Sequence, residues 1–78
     1  MSEIEDFNHG MTLKDLRKRM HLSQAKVAET INVHYQQISD WERGKTVLKL
    51  TVSQYLILFD LYEVEASELA QAEKNSFS

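Results

Sequence analysis

Apolar side chains recur three and four residues apart along this chain, the spacing that gathers them on one face of a helix. The pattern predicts helices near residues 13–20, 24–31, 35–43, 52–62 and 67–73. It therefore predicts an all-α fold of five helices, in a domain that spans residues 12–73. Residues 1–11 lack this periodicity and are expected to form an N-terminal arm or cap, with a polar tail at 74–78.

Residues typical of helix ends separate these segments. Ser23 is a favourable N-cap for the second helix, and Thr51 with Gln54 forms a Thr-x-x-Gln capping box for the fourth. Asn32 can adopt a left-handed backbone and so reverse the chain after the second helix, while Gly44 can end the third. The second and third helices are therefore predicted to be short and joined by a tight turn.

These two short helices share an apolar face. Ala28 is a small residue at the position where the two helices would approach most closely, and the register of Trp41 with Ile38 predicts a core position for the indole rather than base stacking. Two short helices joined in this way have the geometry of a helix-turn-helix. The predicted shared core consists of Val27, Ala28, Ile31, Val33, Ile38 and Trp41.

The fourth helix is more apolar than one buried stripe requires. Nine of the thirteen residues from Val52 to Val64 are apolar or aromatic. Such a helix is either central in the domain or paired with a partner.

The composition excludes several classes of protein. The chain has 78 residues, enough for one small domain, and no cysteine, which excludes disulfides and cysteine-ligated metals and favours a reducing cytosol. Its longest apolar run, at 55–59, is far shorter than the about 20 residues that span a bilayer. The acidic N-terminus also lacks the basic start of a signal peptide. We expect a cytoplasmic protein without a membrane segment.

No group of side chains indicates catalysis or a cofactor. The three histidines, His9, His21 and His34, lie in different segments without the spacing of metal ligands. The chain has neither a Ser/His/Asp grouping nor a phosphate-binding glycine loop. We expect no enzyme activity, no metal site and no cofactor.

The net charge of −3 conceals a segregated distribution. Residues 11–50 hold eight basic and four acidic side chains, whereas the segments on either side are acidic. A basic block can face nucleic-acid phosphates, because Lys and Arg displace condensed counterions. The alternative is a solvated helix face.

Three segments carry a resemblance to a known family: Leu13-x-x-Leu16-Arg17, Leu22-Ser23-Gln24-x-x-Val27-Ala28 and Val33-x-x-x-x-Ile38-Ser39-x-Trp41-Glu42-Arg43-Gly44-Lys45. They resemble the lambda-repressor-like, or Cro-like, helix-turn-helix family over roughly residues 12–70. The resemblance implies a compact five-helix domain that binds double-stranded DNA, with the third helix in the major groove and the second across the backbone.

The resemblance also assigns roles to individual residues. Gln36 is the first candidate for reading a base, because a Gln amide can pair with adenine, and Asp40 could accept from a cytosine amine. The alternative for Gln37, Ser39 and Asp40 is a solvated helix face. Glu42 and Arg43 are expected to support the fold through local ion pairing. The base-reading candidates are His34, Tyr35, Gln36, Gln37, Ser39 and Asp40, and the phosphate-contact candidates are Arg17, Gln24, Arg43, Lys45 and Lys49.

The chain departs from the family pattern in three features. Family members usually begin the third helix with Ser or Thr, and here His34 is expected to be a poor cap at neutral pH. The loop at 45–50 is about two residues longer than usual, contains no proline, and carries Val47 and Leu48, which look exposed. The chain as a whole is acidic.

These departures motivate a second hypothesis. The same fold could bind a partner repressor or another protein, as a small phage antirepressor or an antitoxin-like regulator does. The favoured expectation is a homodimeric transcription regulator of phage or mobile-element type, because the sequence is a bare DNA-binding domain without an effector domain. The candidate partner or dimer face consists of Val47, Leu48, Tyr55, Phe59 and Tyr62.

Overall fold

A computed structural model describes residues 10–77 of the chain. It confirms the all-α prediction, and no strand occurs among these residues. The predicted N-terminal arm or cap lies outside the described residues except for Gly10 and Met11. The helices are α1 (Leu13–Arg19), α2 (Gln24–Ile31), α3 (Tyr35–Glu42), α4 (Val52–Tyr62) and α5 (Ala66–Ser76).

The predicted helix ends around the central turn are confirmed. The Ser23 hydroxyl accepts from the Lys26 backbone N–H at 3.0 Å and caps α2. Asn32 adopts the left-handed conformation (φ 62°, ψ 53°) that lets the chain reverse directly into α3. Thr51 and Gln54 form both hydrogen bonds of the predicted capping box at the start of α4. Local sequence signals therefore define how α2, α3 and α4 begin.

Helix α5 continues beyond the predicted segment 67–73. Residues 74–76, predicted to belong to a polar tail, form the end of this helix instead. The Ser76 hydroxyl accepts from the Leu13 backbone N–H at 3.0 Å, and the Asn75 amide donates to the Met11 carbonyl at 2.8 Å. These contacts join the end of α5 to the start of α1. The last turn of α5 is thus part of the domain.

The core lies where α2 and α3 pack against the other three helices. Val27 and Ile31 of α2 and Ile38 and Trp41 of α3 are buried, which confirms their predicted core positions, while Val33 in the turn is partly buried. The remaining buried apolar residues are Leu13, Leu16, Ala28, Leu58, Tyr62, Val64, Leu69 and Ala72. Contributions from all five helices hold α3 in a fixed orientation.

Candidate nucleic-acid interface

The first turn of α3 presents polar side chains to solvent. Tyr35, Gln36 and Gln37 are exposed, whereas Ile38 and Trp41 of the same helix are buried. Because side chains three and four residues apart share a helix face, the buried pair determines which side of α3 points outward. The structure therefore brings three of the six base-reading candidates, Tyr35, Gln36 and Gln37, together on one exposed surface.

His34 caps α3, and the expectation that it caps poorly is wrong. Its Nδ1 accepts from the Gln36 backbone N–H at 3.1 Å, and the Gln37 side-chain oxygen accepts from the His34 backbone N–H at 3.2 Å. A neutral imidazole can cap because one ring nitrogen keeps a lone pair. The His34 ring also stacks on Tyr35 with centroids 5.1 Å apart. Gln37 and His34 thus order the start of α3.

A row of polar contacts follows along the exposed face of α3. The Gln36 Nε2 donates to Asp40 Oδ1 at 3.1 Å, and an Arg43 guanidinium nitrogen lies 3.7 Å from the same oxygen. The Asp40 carboxylate therefore lies between an amide donor and a cation. Ser39, the remaining base-reading candidate, is only partly exposed.

Arg17 does not face solvent, which corrects the expectation that it contacts a DNA phosphate. Its side chain is 9% exposed, with Nε 2.6 Å from Glu42 Oε2 and a terminal nitrogen donating to Glu42 Oε1 at 3.1 Å. The other terminal nitrogen donates to the Leu22 carbonyl at 2.8 Å. The hydrogen bond to Glu42 raises the pKa of Arg17. Every guanidinium nitrogen is thus engaged inside the domain.

The same carboxylate holds Gln24, at the start of α2. The Gln24 amide donates to Glu42 Oε1 at 3.0 Å, so at least one of its two N–H donors is used within the domain. Glu42 supports the fold through an ion pair, as expected, but its partner Arg17 comes from α1 rather than from the adjacent position. The Glu42 carboxylate therefore connects α1, α2 and α3.

The other expected phosphate contacts lie just after α3. Arg43, Lys45 and Lys49 are all exposed. The loop that carries the two lysines is anchored between them, because the Leu48 backbone N–H donates to the Glu73 side chain of α5 at 2.7 Å. These cations therefore lie on an ordered segment next to the polar face of α3.

The expected partner face is only partly assembled by the structure. Tyr62 is 3% exposed and does not belong to that face, which corrects the expectation. Its burial also raises the pKa of its hydroxyl. Val47 is exposed, while Leu48, Tyr55 and Phe59 are partly buried. The Tyr55 and Phe59 rings stack with centroids 6.2 Å apart.

An apolar groove of about 360 Å³ runs between α4 and α5. Val52 and Leu56, which sequence reasoning did not single out for the partner face, are 75% and 60% exposed at its edge. They lie four residues apart, as do the buried Leu58 and Tyr62, so helical spacing could have separated an outer from an inner face. The groove is lined by Leu48, Val52, Tyr55, Leu56, Phe59, Ala66, Leu69, Ala70 and Glu73.

Residues 10–77 contain neither a cluster of metal ligands nor a membrane-spanning helix. No three histidine or acidic side chains in this range come together as a metal site would require. No helix in the described part of the chain is both long and apolar enough to cross a membrane.

The comparisons with known proteins add one positive result. A family model described as helix-turn-helix matches residues 13–57, from the start of α1 into α4. Comparison with curated proteins and with solved structures found no match. The matched region covers more than half of the chain and contains both α2 and α3. The chain therefore belongs to the lambda-repressor-like helix-turn-helix family of DNA-binding regulators.

Proposed function

We propose that this chain is a sequence-specific transcription regulator of the phage or mobile-element repressor type, which places α3 in the major groove of double-stranded DNA. The observation that carries the proposal is the exposed first turn of α3, held by the His34 and Gln37 cap on one side and by buried Ile38 and Trp41 on the other. A helix of this diameter fits the major groove, where base edges are distinguishable.

The proposed base contacts come from that first turn. Gln36 would pair with adenine, donating to N7 and accepting from N6–H, a contact worth about 1–3 kcal/mol of discrimination. Tyr35 is 54% exposed and would pack against a thymine methyl or reach a phosphate. Gln37 and His34 would contact bases from the same end of α3 while keeping the helix capped. Ser39 lies further round the helix.

The proposed phosphate contacts come from Arg43, Lys45 and Lys49, whose exposure leaves them accessible to a DNA backbone. Gln24 would approach a phosphate with the start of α2. Phosphate contacts add affinity to every duplex and position α3, whereas base contacts distinguish one duplex from another.

Gln36→Ala and Lys45→Ala are expected to affect binding in different ways. Gln36→Ala should weaken binding to a duplex that the wild-type protein selects, while leaving binding to unrelated duplexes nearly unchanged. Lys45→Ala should weaken all duplexes similarly and lower the slope of log affinity against log salt by about one. Fluorescence anisotropy on matched duplexes at several salt concentrations measures both effects. Equal losses on all duplexes for both variants would remove Gln36 from base reading.

We propose further that two copies associate through the α4–α5 groove. Val52 and Leu56 would leave water on association, and apolar side chains this exposed are typical of interfaces when they line a continuous groove. Two copies related by a twofold axis would place two α3 helices about 34 Å apart, on half-sites one DNA turn apart.

Leu56→Glu is expected to dissociate such a dimer, because a charge would be buried in an apolar groove. Ile57→Glu is the matched control, since Ile57 is also an exposed apolar residue of α4 but does not line the groove. Sedimentation equilibrium should show a dimer for the wild type and the control and a monomer for Leu56→Glu. A monomeric wild type that binds no twofold-symmetric site would contradict the homodimer. That result would favour the alternative in which the groove receives a partner repressor or another protein.

A further inference from the structure

The Gln36 side chain is held by a neighbour on its own helix. Its Nε2 donates to Asp40 Oδ1 at 3.1 Å, across one turn of α3. The Asp40 side chain is 25% exposed, and the Arg43 guanidinium lies 3.7 Å from the same oxygen. The Asp40 carboxylate therefore accepts one hydrogen bond from Gln36 and lies within ion-pair distance of Arg43.

The chemistry of the carboxylate determines how the Gln36 amide is turned. An ionised carboxylate only accepts hydrogen bonds, so the nitrogen end of the amide must face Asp40 and Oε1 must point away. A primary amide has two N–H bonds, and donating the one trans to Oε1 to Asp40 leaves the other on the same edge as Oε1. The free edge of Gln36 thus carries one donor and one acceptor in a fixed order.

That order decides which purine the amide can pair with. In the major groove adenine offers the N7 acceptor beside the N6–H donor, whereas guanine offers two acceptors, N7 and O6. An amide fixed in this orientation pairs with adenine through both its N–H group and Oε1. Against guanine, Oε1 would face O6, and two acceptors would meet. An amide free to turn over could present its N–H group to O6 instead and would discriminate less.

We infer that Asp40 is a positioning residue that sets the orientation of the Gln36 amide and so makes α3 select adenine over guanine. The inference rests on the proposed function and assigns Asp40 a role other than contacting a base. It also gives a reason for an acidic side chain on a helix that approaches DNA, since the carboxylate accepts from Gln36 and its charge lies near Arg43.

Asp40→Asn tests the inference, because an Asn side chain has the same shape but can accept or donate. The binding ratio is measured on duplexes that carry adenine or guanine at the position where Gln36→Ala has its largest effect. Asp40→Asn should lower the adenine-over-guanine ratio at least about threefold, the size expected for loss of one hydrogen bond. Asp60→Asn, on the exposed face of α4, removes the same charge and should leave the ratio unchanged.

A double-variant cycle separates positioning from direct contact. In a Gln36→Ala background, Asp40→Asn should have no further effect on the ratio, because there is no amide left to orient. An equal effect of Asp40→Asn with and without Gln36 would show that Asp40 contacts a base itself, and would overturn the inference. An unchanged ratio in the single variant would overturn it as well.

Failure of the proposed function gives a different result from failure of the positioning role. Wild-type protein that shows no base preference on any duplex would overturn both. Wild-type preference that survives Asp40→Asn would overturn the positioning role alone. A DNA-free readout is the NMR signal pair of the Gln36 side-chain amide, assigned by its loss in Gln36→Ala. That pair should shift in Asp40→Asn and not in Asp60→Asn, and an unmoved pair would contradict the hydrogen bond.

Discussion

Replacing Glu42 with alanine is expected to destabilise the domain by about 3–5 kcal/mol, because it leaves the Arg17 charge buried without its partner. The Glu42 side chain is only 4% exposed and accepts hydrogen bonds from both Arg17 and Gln24. Its loss would remove the polar contacts that α1 and α2 both make with the end of α3. Urea unfolding followed by circular dichroism measures the change in the free energy of unfolding.

Two controls accompany this variant. Glu29→Ala removes an exposed acid from α2 and should change stability by no more than about 0.5 kcal/mol. The double variant Arg17→Met/Glu42→Leu should recover most of the loss, because replacing a buried ion pair by apolar groups is often nearly neutral. A loss of less than about 1 kcal/mol for Glu42→Ala would contradict the role of Glu42 in joining the three helices.

Gly44→Ala is expected to destabilise the domain by about 2–4 kcal/mol, from a strained backbone and a steric overlap. Gly44 has a φ of +72°, and an added Cβ would lie 2.5 Å from the Ser76 carbonyl oxygen and 3.1 Å from the Phe77 Cα. These neighbours are backbone atoms at the end of α5, so the clash can be relieved only by moving the helix end.

Gly10→Ala is the matched control for this second variant. Gly10 also has a positive φ, +88°, but nothing lies within 4 Å of an added Cβ. It should therefore lose only the backbone component, about 1–2 kcal/mol at most. Thermal or urea unfolding of the two variants compares them directly. Equal losses would mean that the end of α5 does not pack against Gly44.

The parts of the fold that depend on local signals were predictable from the sequence. Ser23, Asn32 and the Thr51–Gln54 box act within one turn of their own helix, and each forms the predicted structure. The burial of Ile38 and Trp41 follows from their helical spacing. The exposed start of α3 could be predicted for the same reason, because burying one face leaves the other to solvent.

The wrong predictions concern contacts between segments that are distant in the sequence, or a side chain whose protonation allows more than one role. Arg17 looks like a free surface cation until Glu42, 25 residues later, is placed beside it. The end of α5 is stabilised by contacts to Met11 and Leu13, which no local pattern reveals. The cap formed by His34 is hard to predict from sequence, because its capping capacity depends on which ring nitrogen carries the proton.

The most direct test of DNA reading by α3 is the affinity of the wild-type protein for a duplex selected from a randomised pool, at ~50 and ~200 mM salt. A dimer that uses Arg43, Lys45 and Lys49 from each protomer would make about six phosphate contacts, so its affinity should fall about a thousandfold between the two salts. The selected duplex should also contain a twofold-symmetric site. A Kd no tighter than ~10⁻⁴ M for every duplex at the lower salt would contradict DNA binding by α3.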